Sequence, residues 1–310
     1  MNIGFQIDPI EKLNHKTDST LPIILESQKR KNKNFYFIPS TLTFKNNSVY
    51  ALTREVKLNN NMQAYYIGKP QLNNLDKFEY IFVRQDPPYN IEYISSMHIL
   101  EQLSGKTQII NDPKGIRNAP EKISMLKYKK IIPPTIITRS KSEINKFINQ
   151  YSTAVIKPLY GNGGEGVFLL SKRDKNFNQI LEHYITNKKE PFILQKFIPQ
   201  VKNGDKRIIL IDGEPVAAIK RMPKRNEIRS NIHVGGNCKK TQLSKQDRKI
   251  CSEIKQFLKS EGLFFVGIDI IGNYLIEINV TSPTCIQEIK RLHKIDIASI
   301  IWDKLKEKKF

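Results

Sequence analysis

With 310 residues, 39% of them hydrophobic and 26% charged, the chain has length for two ordinary domains and a composition outside the disordered range. The 51 lysines and arginines against 30 acids leave a formal charge of +21, a potential that attracts anionic ligands, although the short runs Lys29–Lys33, Lys127–Lys130 and Lys304–Lys309 read as solvated faces and ends with no nucleic-acid-binding motif beside them. No apolar stretch approaches the ~20 residues of a membrane helix, and three cysteines without Cys-x-x-Cys and five histidines without His-Glu-x-x-His speak against a disulfide framework and a zinc site.

Met1–Ile7 lacks the cationic leader of a signal peptide, and Ile3–Ile7 alternates as a strand does. Leu21–Arg30 has helical spacing, with Asp18 and Ser19 as capping candidates. Phe35–Ile38 and Tyr80–Arg84 read as further strands, Ile91–Leu103 as a helix and Gln108–Ile110 as a strand. Such alternation predicts a βαβ layer with a parallel sheet. Thr41–Leu75 is rich in Asn and other polar residues and shows no usable period. Asn111–Pro120 then punctuates the chain, so a boundary is expected near residue 120. Pro120 suits the first turn of a helix bearing Glu121-Lys122. Beyond the break at Pro133-Pro134 come a strand at Thr135–Thr138, a helix at Ser142–Asn149 and a strand at Thr153–Lys157. Arg207–Ile211 and Val216–Lys220 flank Asp212-Gly213 as a hairpin. Ser244–Glu261 is a helix with Ile250, Ile254, Phe257 and Leu258 on one face, stopped by Gly262.

The chemistry concentrates in two segments. Val266–Cys285 sets Asp269, Glu277 and Asn279 into an otherwise apolar stretch, where a carboxylate needs a cation or hydrogen bonds to compensate its burial. Glu277 and Asn279 leave one face of a strand, and oxygen-only ligands suit a hard ion such as Mg²⁺. If Phe264–Ile271 and Tyr274–Val280 pair across a two-residue loop, Asp269 points away from Glu277. An odd loop such as Gly272-Asn273-Tyr274 brings the two together, so a metal site predicts the odd loop. The second segment, Lys157–Val167, runs from strand to strand through Gly161, Gly163, Gly164 and Gly166. Glycines let backbone N–H groups approach an anion, and Lys157 adds a charge, but neither the Walker loop nor the dinucleotide fingerprint is present. Lys122, and Arg207 in Asp205-Lys206-Arg207, are further candidates for binding anions. Arg225 and Arg229 lie in a polar stretch ending at Gly235-Gly236 that reads as a lid. No Ser-His-Asp or Cys-His pattern is evident, so no covalent nucleophile is expected.

In combination these features resemble the ATP-grasp ligases. Arg84, Asp86-Pro87-Pro88, Asn118–Lys122, Gly204–Arg207, Asp212–Pro215 and Phe265–Ile286 narrow the resemblance to the prokaryotic-type glutathione synthetases. It implies an α/β protein with an N-terminal Rossmann-like pre-ATP-grasp domain (1–120) and a two-lobed ATP-grasp domain (121–310, small lobe about 121–200, large lobe about 201–310). It further implies that Lys122, Lys157 and the loop of Gly161, Asn162, Gly163 and Gly164 hold the phosphates of ATP. Gln195, Lys196, Phe197 and Ile198 would meet adenine, with Asp205 and Arg207 also at the nucleotide. Arg84, Arg207, Arg229, Ser282, Pro283 and Thr284 would bind the dipeptide, Arg207 and Arg229 acting in catalysis. Asp269, Glu277 and Asn279 would hold Mg²⁺ or Mn²⁺.

The implied reaction joins γ-glutamylcysteine to glycine through an acyl phosphate made with ATP, in a cytoplasmic homotetramer that needs neither nucleic acid nor membrane. Asn237-Cys238 follows the glycine pair where the family often has Arg. The nearest rival is another ATP-grasp carboxylate–amine ligase, resembling D-alanine–D-alanine or glutamate ligases, from which Arg84–Pro88 and Thr281–Thr284 discriminate. A nucleic-acid-binding reading predicts steep salt dependence, but it leaves the Glu277-x-Asn279 strand and the glycine loop without a purpose.

Overall fold

The computed structural model describes residues 1–103, 105, 107–187, 190–223 and 237–308. The alternation that begins the sequence becomes β1 (Asn2–Gln6), α1 (Thr20–Lys29) and β2 (Lys33–Phe37). Asp18 starts the helix, its Oδ1 accepting the N–H groups of Thr20 at 2.7 Å and Leu21 at 2.8 Å, while Ser19 makes no such cap. The unplaced segment 41–75 holds four strands, β3 (Thr43–Lys45), β4 (Ser48–Leu58), β5 (Ala64–Ile67) and β6 (Gln71–Asn74). The long β4 is antiparallel to β2 and to its three neighbours, which extends the first sheet. β7 (Tyr80–Val83), α2 (Ile91–Leu100) and β8 (Gln108–Ile110) follow. β1 lies parallel to β2 and β7, and β7 to β8, which is the expected βαβ layer.

The punctuated stretch contains α3 (Pro113–Asn118), with Pro113 in its first turn and Asp112 accepting from Lys114 and Gly115. The helix expected on Glu121-Lys122 does not form. The Pro120 carbonyl takes the N–H groups of Ile123 and Ser124, and the chain turns into a 3₁₀ segment, Ser124–Lys127. Both side chains are instead engaged far along the chain, Glu121 by Thr281 and Lys122 by Glu277, and those tertiary contacts outweigh local propensity.

The second sheet is antiparallel, built from β9 (Thr135–Thr138), β10 (Thr153–Pro158), β11 (Phe168–Ser171) and β12 (Phe192–Lys196) in the order β11-β10-β12-β9. With α4 (Lys141–Tyr151) and α5 (Phe177–Asn187) it encloses a core of its own, including Phe147, Ile156, Leu170, Tyr184 and Leu194. The third sheet contains β13 (Asp205–Ile211), β14 (Glu214–Met222), β15 (Asn237–Lys240), β16 (Phe265–Ile271) and β17 (Tyr274–Asn279), ordered β15-β14-β13-β16-β17. Its helices are α6 (Lys245–Ser260), α7 (Ile286–His293) and α8 (Ile297–Glu307). Ser244 and Asp247 form a capping box at α6, whose Ile250, Ile254 and Leu258 are buried as their spacing predicts.

The first and third sheets share their cores. Phe37, Val83 and Met97 pack in one cluster with Ile208, Ile254 and Ile268; Phe5 and Phe82 pack in another with Ile209, Phe265 and Trp302. The second sheet is therefore the one with an interior to itself, and the cleft that matters lies where it faces the third. No helix among the described residues is long and apolar enough to cross a membrane.

Candidate active site

Register decides what the β16–β17 hairpin can do. Ile271 pairs with Tyr274 and Ile270 with Leu275, so the loop is the two residues Gly272-Asn273, not the odd loop expected. Asp269 nevertheless pairs with Glu277, because the ladder shifts after Ile270 and leaves Ile276 as an extra residue. The bulge does what the odd loop was expected to do. Asp269 and Glu277 share one face, and Asn279 lies next along it, its Nδ2 3.4 Å from Asp269 Oδ2.

Four charges on this sheet are almost completely buried: Asp205 (6% exposed), Arg207 (5%), Arg221 (3%) and Asp269 (5%). Such burial is tolerable only with strong pairing, and they pair in alternation. Arg207 grips Asp269 through Nε and Nη2 at 2.5 and 2.8 Å. Arg221 grips Asp205 at 2.8 and 2.6 Å and also reaches Asp269 at 2.9 Å. Burial alone would raise the Asp269 carboxyl, but the two guanidiniums outweigh it and hold it well below the usual carboxylate range. Sequence reasoning missed Arg221. Counting back across Asp212-Gly213 puts Lys220 opposite Asp205, and a bulge at Ile209/Leu210 moves Arg221 there instead.

The facing wall is built differently. Lys122 Nζ lies 2.9 Å from Glu277 Oε1 and donates to the Gly161 carbonyl, so it bridges the glycine loop and the third sheet. Lys157 Nζ donates to Gln195 Oε1 at 3.2 Å, and Gln195 Nε2 to Thr135 Oγ1 at 2.9 Å. Burial brings Lys157 down to about 8. Gly163, Gly164 and Gly166 have positive φ of 60°, 82° and 68°, a conformation that costs other residues strain.

Between the walls lie two adjoining cavities. The first, an open cleft of about 920 Å³, is lined by Lys122, Lys157, Gly161, Asn162, Gly163, Gly164, Gln195, Lys196, Phe197, Ile198, Asp205, Asp269 and Glu277. It thus gathers every residue that sequence reasoning assigned to the nucleotide except Arg207. The second, about 1170 Å³, is lined by Arg207, Arg221, Asn279, Ser282, Thr284, Asp86, Pro87 and Glu121 among others. Asn162, Gly163, Glu165 and Glu277 line both, so Glu277 stands at the junction.

Arg84 is 4% exposed and supports the 282–284 turn from beneath. Its Nη2 donates to the Pro283 carbonyl at 3.0 Å, its Nε to Thr20 Oγ1 at 3.1 Å, and its own carbonyl accepts from Ser282 Oγ at 3.2 Å. Pro283 packs inward, its Cβ lying 3.1 Å from where a Cβ on Gly267 would stand. Neither Arg84 nor Pro283 is among the residues lining the two cavities, which puts both one layer behind Ser282 and Thr284, with Arg84 Nη1 buried and without a hydrogen-bond partner. Arg225, Arg229, Gly235 and Gly236 lie outside the described residues.

Two further residues went unrecognised. Glu121 Oε1 accepts from Val280 N at 3.1 Å, Thr281 N at 3.3 Å and Thr281 Oγ1 at 2.8 Å. Asn111 Nδ2 donates to the carbonyls of Phe265 at 2.8 Å and Val280 at 2.7 Å, while its Oδ1 accepts from Phe265 N at 2.7 Å. Each satisfies backbone groups next to the oxygen-bearing strand. In sequence, Glu121 carries a signal only through its neighbour Lys122, and Asn111 carries none.

Residues 1–117 match the N-terminal domain model of prokaryotic glutathione synthetase, and residues 121–294 match its ATP-grasp domain. The glutathione synthetase of Agrobacterium fabrum is 41% identical over 309 residues, covering 99% of this chain and 97% of that protein. That of Synechocystis sp. is 39% identical over 315 residues, covering 97% and 98%. Among solved structures, the macrocyclase MdnC bound with a precursor peptide, from Microcystis aeruginosa, gives a TM-score of 0.67 at 15% identity, covering 99% of this chain and 100% of its own. The ATP-grasp ligase PsnB complexed with a minimal precursor, Mg and ADP gives 0.61 at 13%, covering 99% and 97%.

Proposed function

The chain belongs to the prokaryotic glutathione synthetase family, an ATP-dependent ligase joining γ-glutamylcysteine to glycine, and on that premise we propose how its two cavities divide the reaction. The first takes ATP. Lys122 and Lys157 meet the phosphates, the backbone of Gly161–Gly164 covers them, and Gln195–Ile198 offer polar backbone groups to adenine. The second takes the dipeptide, whose carboxylate lies at Arg207 with Ser282 and Thr284 beside it. Residues 1–120 serve as the substrate-bearing domain, and 121–200 and 201–310 as the two ATP-grasp lobes.

Asp269, Glu277 and Asn279 share one sheet face and carry the hard oxygen donors that Mg²⁺ or Mn²⁺ takes, with Glu277 at the junction of both cavities; binding there would exchange part of the hold that Arg207 and Arg221 have on Asp269, and Lys122 on Glu277, for the ion. Bound there, the ion would neutralise triphosphate charge and act as a Lewis acid toward the phosphoryl group. The dipeptide carboxylate attacks the γ-phosphorus as the bond to ADP breaks, giving an acyl phosphate. Glycine's amine then attacks the acyl carbon, phosphate leaves and the amide forms. Arg207, backed by Arg221, neutralises charge on the transferring group, so catalysis is mainly positioning and electrostatic stabilisation. Arg229 takes part in the same role on the strength of the family resemblance. Closing the site over these groups would keep water from the acyl phosphate.

The observation that carries this reading is Asp269 opposite Glu277 where the two cavities meet. The test is phosphate release with γ-glutamylcysteine plus glycine, compared with D-alanine and with glutamate acceptors, with and without Mg²⁺. Release confined to the first pair and dependent on the ion is expected; release only with another pair removes this assignment. On the same family reading we propose a cytoplasmic homotetramer, and light scattering of the purified protein checks the assembly.

A further inference from the structure

We propose that Tyr89 and Tyr160 form an aromatic latch that couples dipeptide binding to closure of the glycine loop over the nucleotide, an inference that rests on the assignment of the two cavities above. The rings are stacked with centroids 5.8 Å apart and planes at 21°. They come from the two segments that the reaction must bring together. Tyr160 immediately precedes Gly161, the first glycine of the loop covering the nucleotide cavity. Tyr89 closes the segment whose Asp86 and Pro87 line the dipeptide cavity.

The two partners are anchored very unequally. Tyr89 is fixed on the first sheet's side: its hydroxyl donates to the Arg117 carbonyl at 2.5 Å, and its ring also packs on Tyr93 at 5.7 Å. Tyr93 is buried in the core shared by the first and third sheets. Tyr160 is 41% exposed and belongs to the lobe whose core is separate. Tyr89 is thus a fixed platform, and Tyr160 is the reach of the smaller body onto it. A shallow pocket lined by both rings also takes in Pro87, Glu121, Lys122 and Asn162. Pro87 and Asn162 line the dipeptide cavity as well. A dipeptide that orders Asp86–Pro87 therefore steadies the platform, and a nucleotide that orders the glycine loop steadies the ring that lands on it. Each ligand then favours the arrangement the other needs, and such coupling is reciprocal. An aromatic pair of this kind contributes enough for about a two- to tenfold mutual effect on affinity.

The test measures binding of Mg²⁺-AMPPNP by calorimetry with and without γ-glutamylcysteine, for the wild type, Tyr160→Ala, Tyr160→Phe, Tyr89→Ala and the double alanine variant. The dipeptide should tighten nucleotide binding to the wild type and to Tyr160→Phe, which keeps the stack. The gain should shrink to near unity in both single alanine variants, and the double variant should lose no more than either. Thermal midpoints near that of the wild type show that the variants fold. Equal coupling in wild type and Tyr160→Ala, losses that add in the double variant, or a Tyr160→Phe as uncoupled as Tyr160→Ala each overturn the latch. Those results leave the ligase reading standing if the wild type turns over its substrates, whereas absent turnover sinks that reading whatever the cycle gives.

Discussion

The two walls of the cleft solve one electrostatic problem in opposite ways. On the third sheet, Asp205, Arg207, Arg221 and Asp269 neutralise one another in a buried alternating set, so that wall is organised before any ligand arrives. On the second sheet, Lys157 is buried with a neutral Gln195 as its hydrogen-bond partner, and the loop offers glycine backbone. That wall is incomplete without an anion. Preorganised charge suits the reacting carboxylate and phosphoryl group, whereas a wall awaiting its counter-charge suits a nucleotide that must enter and leave.

The largest effect should come from Glu277→Gln at the junction. Turnover is expected to fall by about 10²–10³-fold while circular dichroism and thermal midpoint stay close to wild type; retained activity would remove Glu277 from the metal. Asp269→Asn breaks the organised wall instead. It leaves the buried Arg207 guanidinium without its carboxylate while Arg221 keeps Asp205, so denaturant titration should show a loss of about 3–5 kcal/mol.

Lys157→Met probes the other wall and should lower nucleotide affinity by about tenfold or more. The same change should stabilise the ligand-free protein at neutral pH, and the sign follows from the lysine's position. Its folded value is about 8 against ~10.4 in an unfolded chain. Between those values the unfolded state holds a proton that the folded state has released, so stability gains from rising pH across that window. The variant should lack that rise. Nucleotide binding near pH 8 should take up a proton in the wild type, seen as buffer-dependent heat, and not in the variant.

The smallest effects separate the walls by packing. A Cβ on Gly267 would meet Arg207 Cδ and Pro283 Cβ at 3.1 Å, whereas one on Gly163 meets nothing within 4 Å. Gly267→Ala should therefore displace Arg207 and reduce kcat. Gly163→Ala should cost only the strain of its positive φ, about 1–2 kcal/mol, borne by the loop and read mainly in KM for ATP.

The same contrast governs how far the site was legible in the sequence. The β16–β17 hairpin and the glycine loop announce themselves, because oxygen donors in an apolar strand and clustered glycines are local anomalies. The residues assigned to the nucleotide, Arg207 apart, line one cleft. What composition and spacing could not supply is register. Bulges at Ile276 and at Ile209/Leu210 decide which side chains face one another, and bulges are set by packing across the sheet. Glu121 reads as a helical residue because Pro120 looks like a helix start, yet its carboxylate answers N–H groups some 159 positions away. Segment 41–75 was unreadable for a related reason: β4 pairs with four strands, and no single burial alternation runs along it.

The central claim is that the oxygen donors of the β16–β17 hairpin and the glycine loop enclose one metal-bound triphosphate. Crystals grown with Mn²⁺ and AMPPNP test it most directly, through the anomalous signal of the ion. A peak at ~2.1–2.2 Å from oxygens of Asp269, Glu277 and Asn279, with the phosphates under Gly161–Gly164, is the expected result. An ion held away from Glu277, or a nucleotide outside the cleft, would contradict the account.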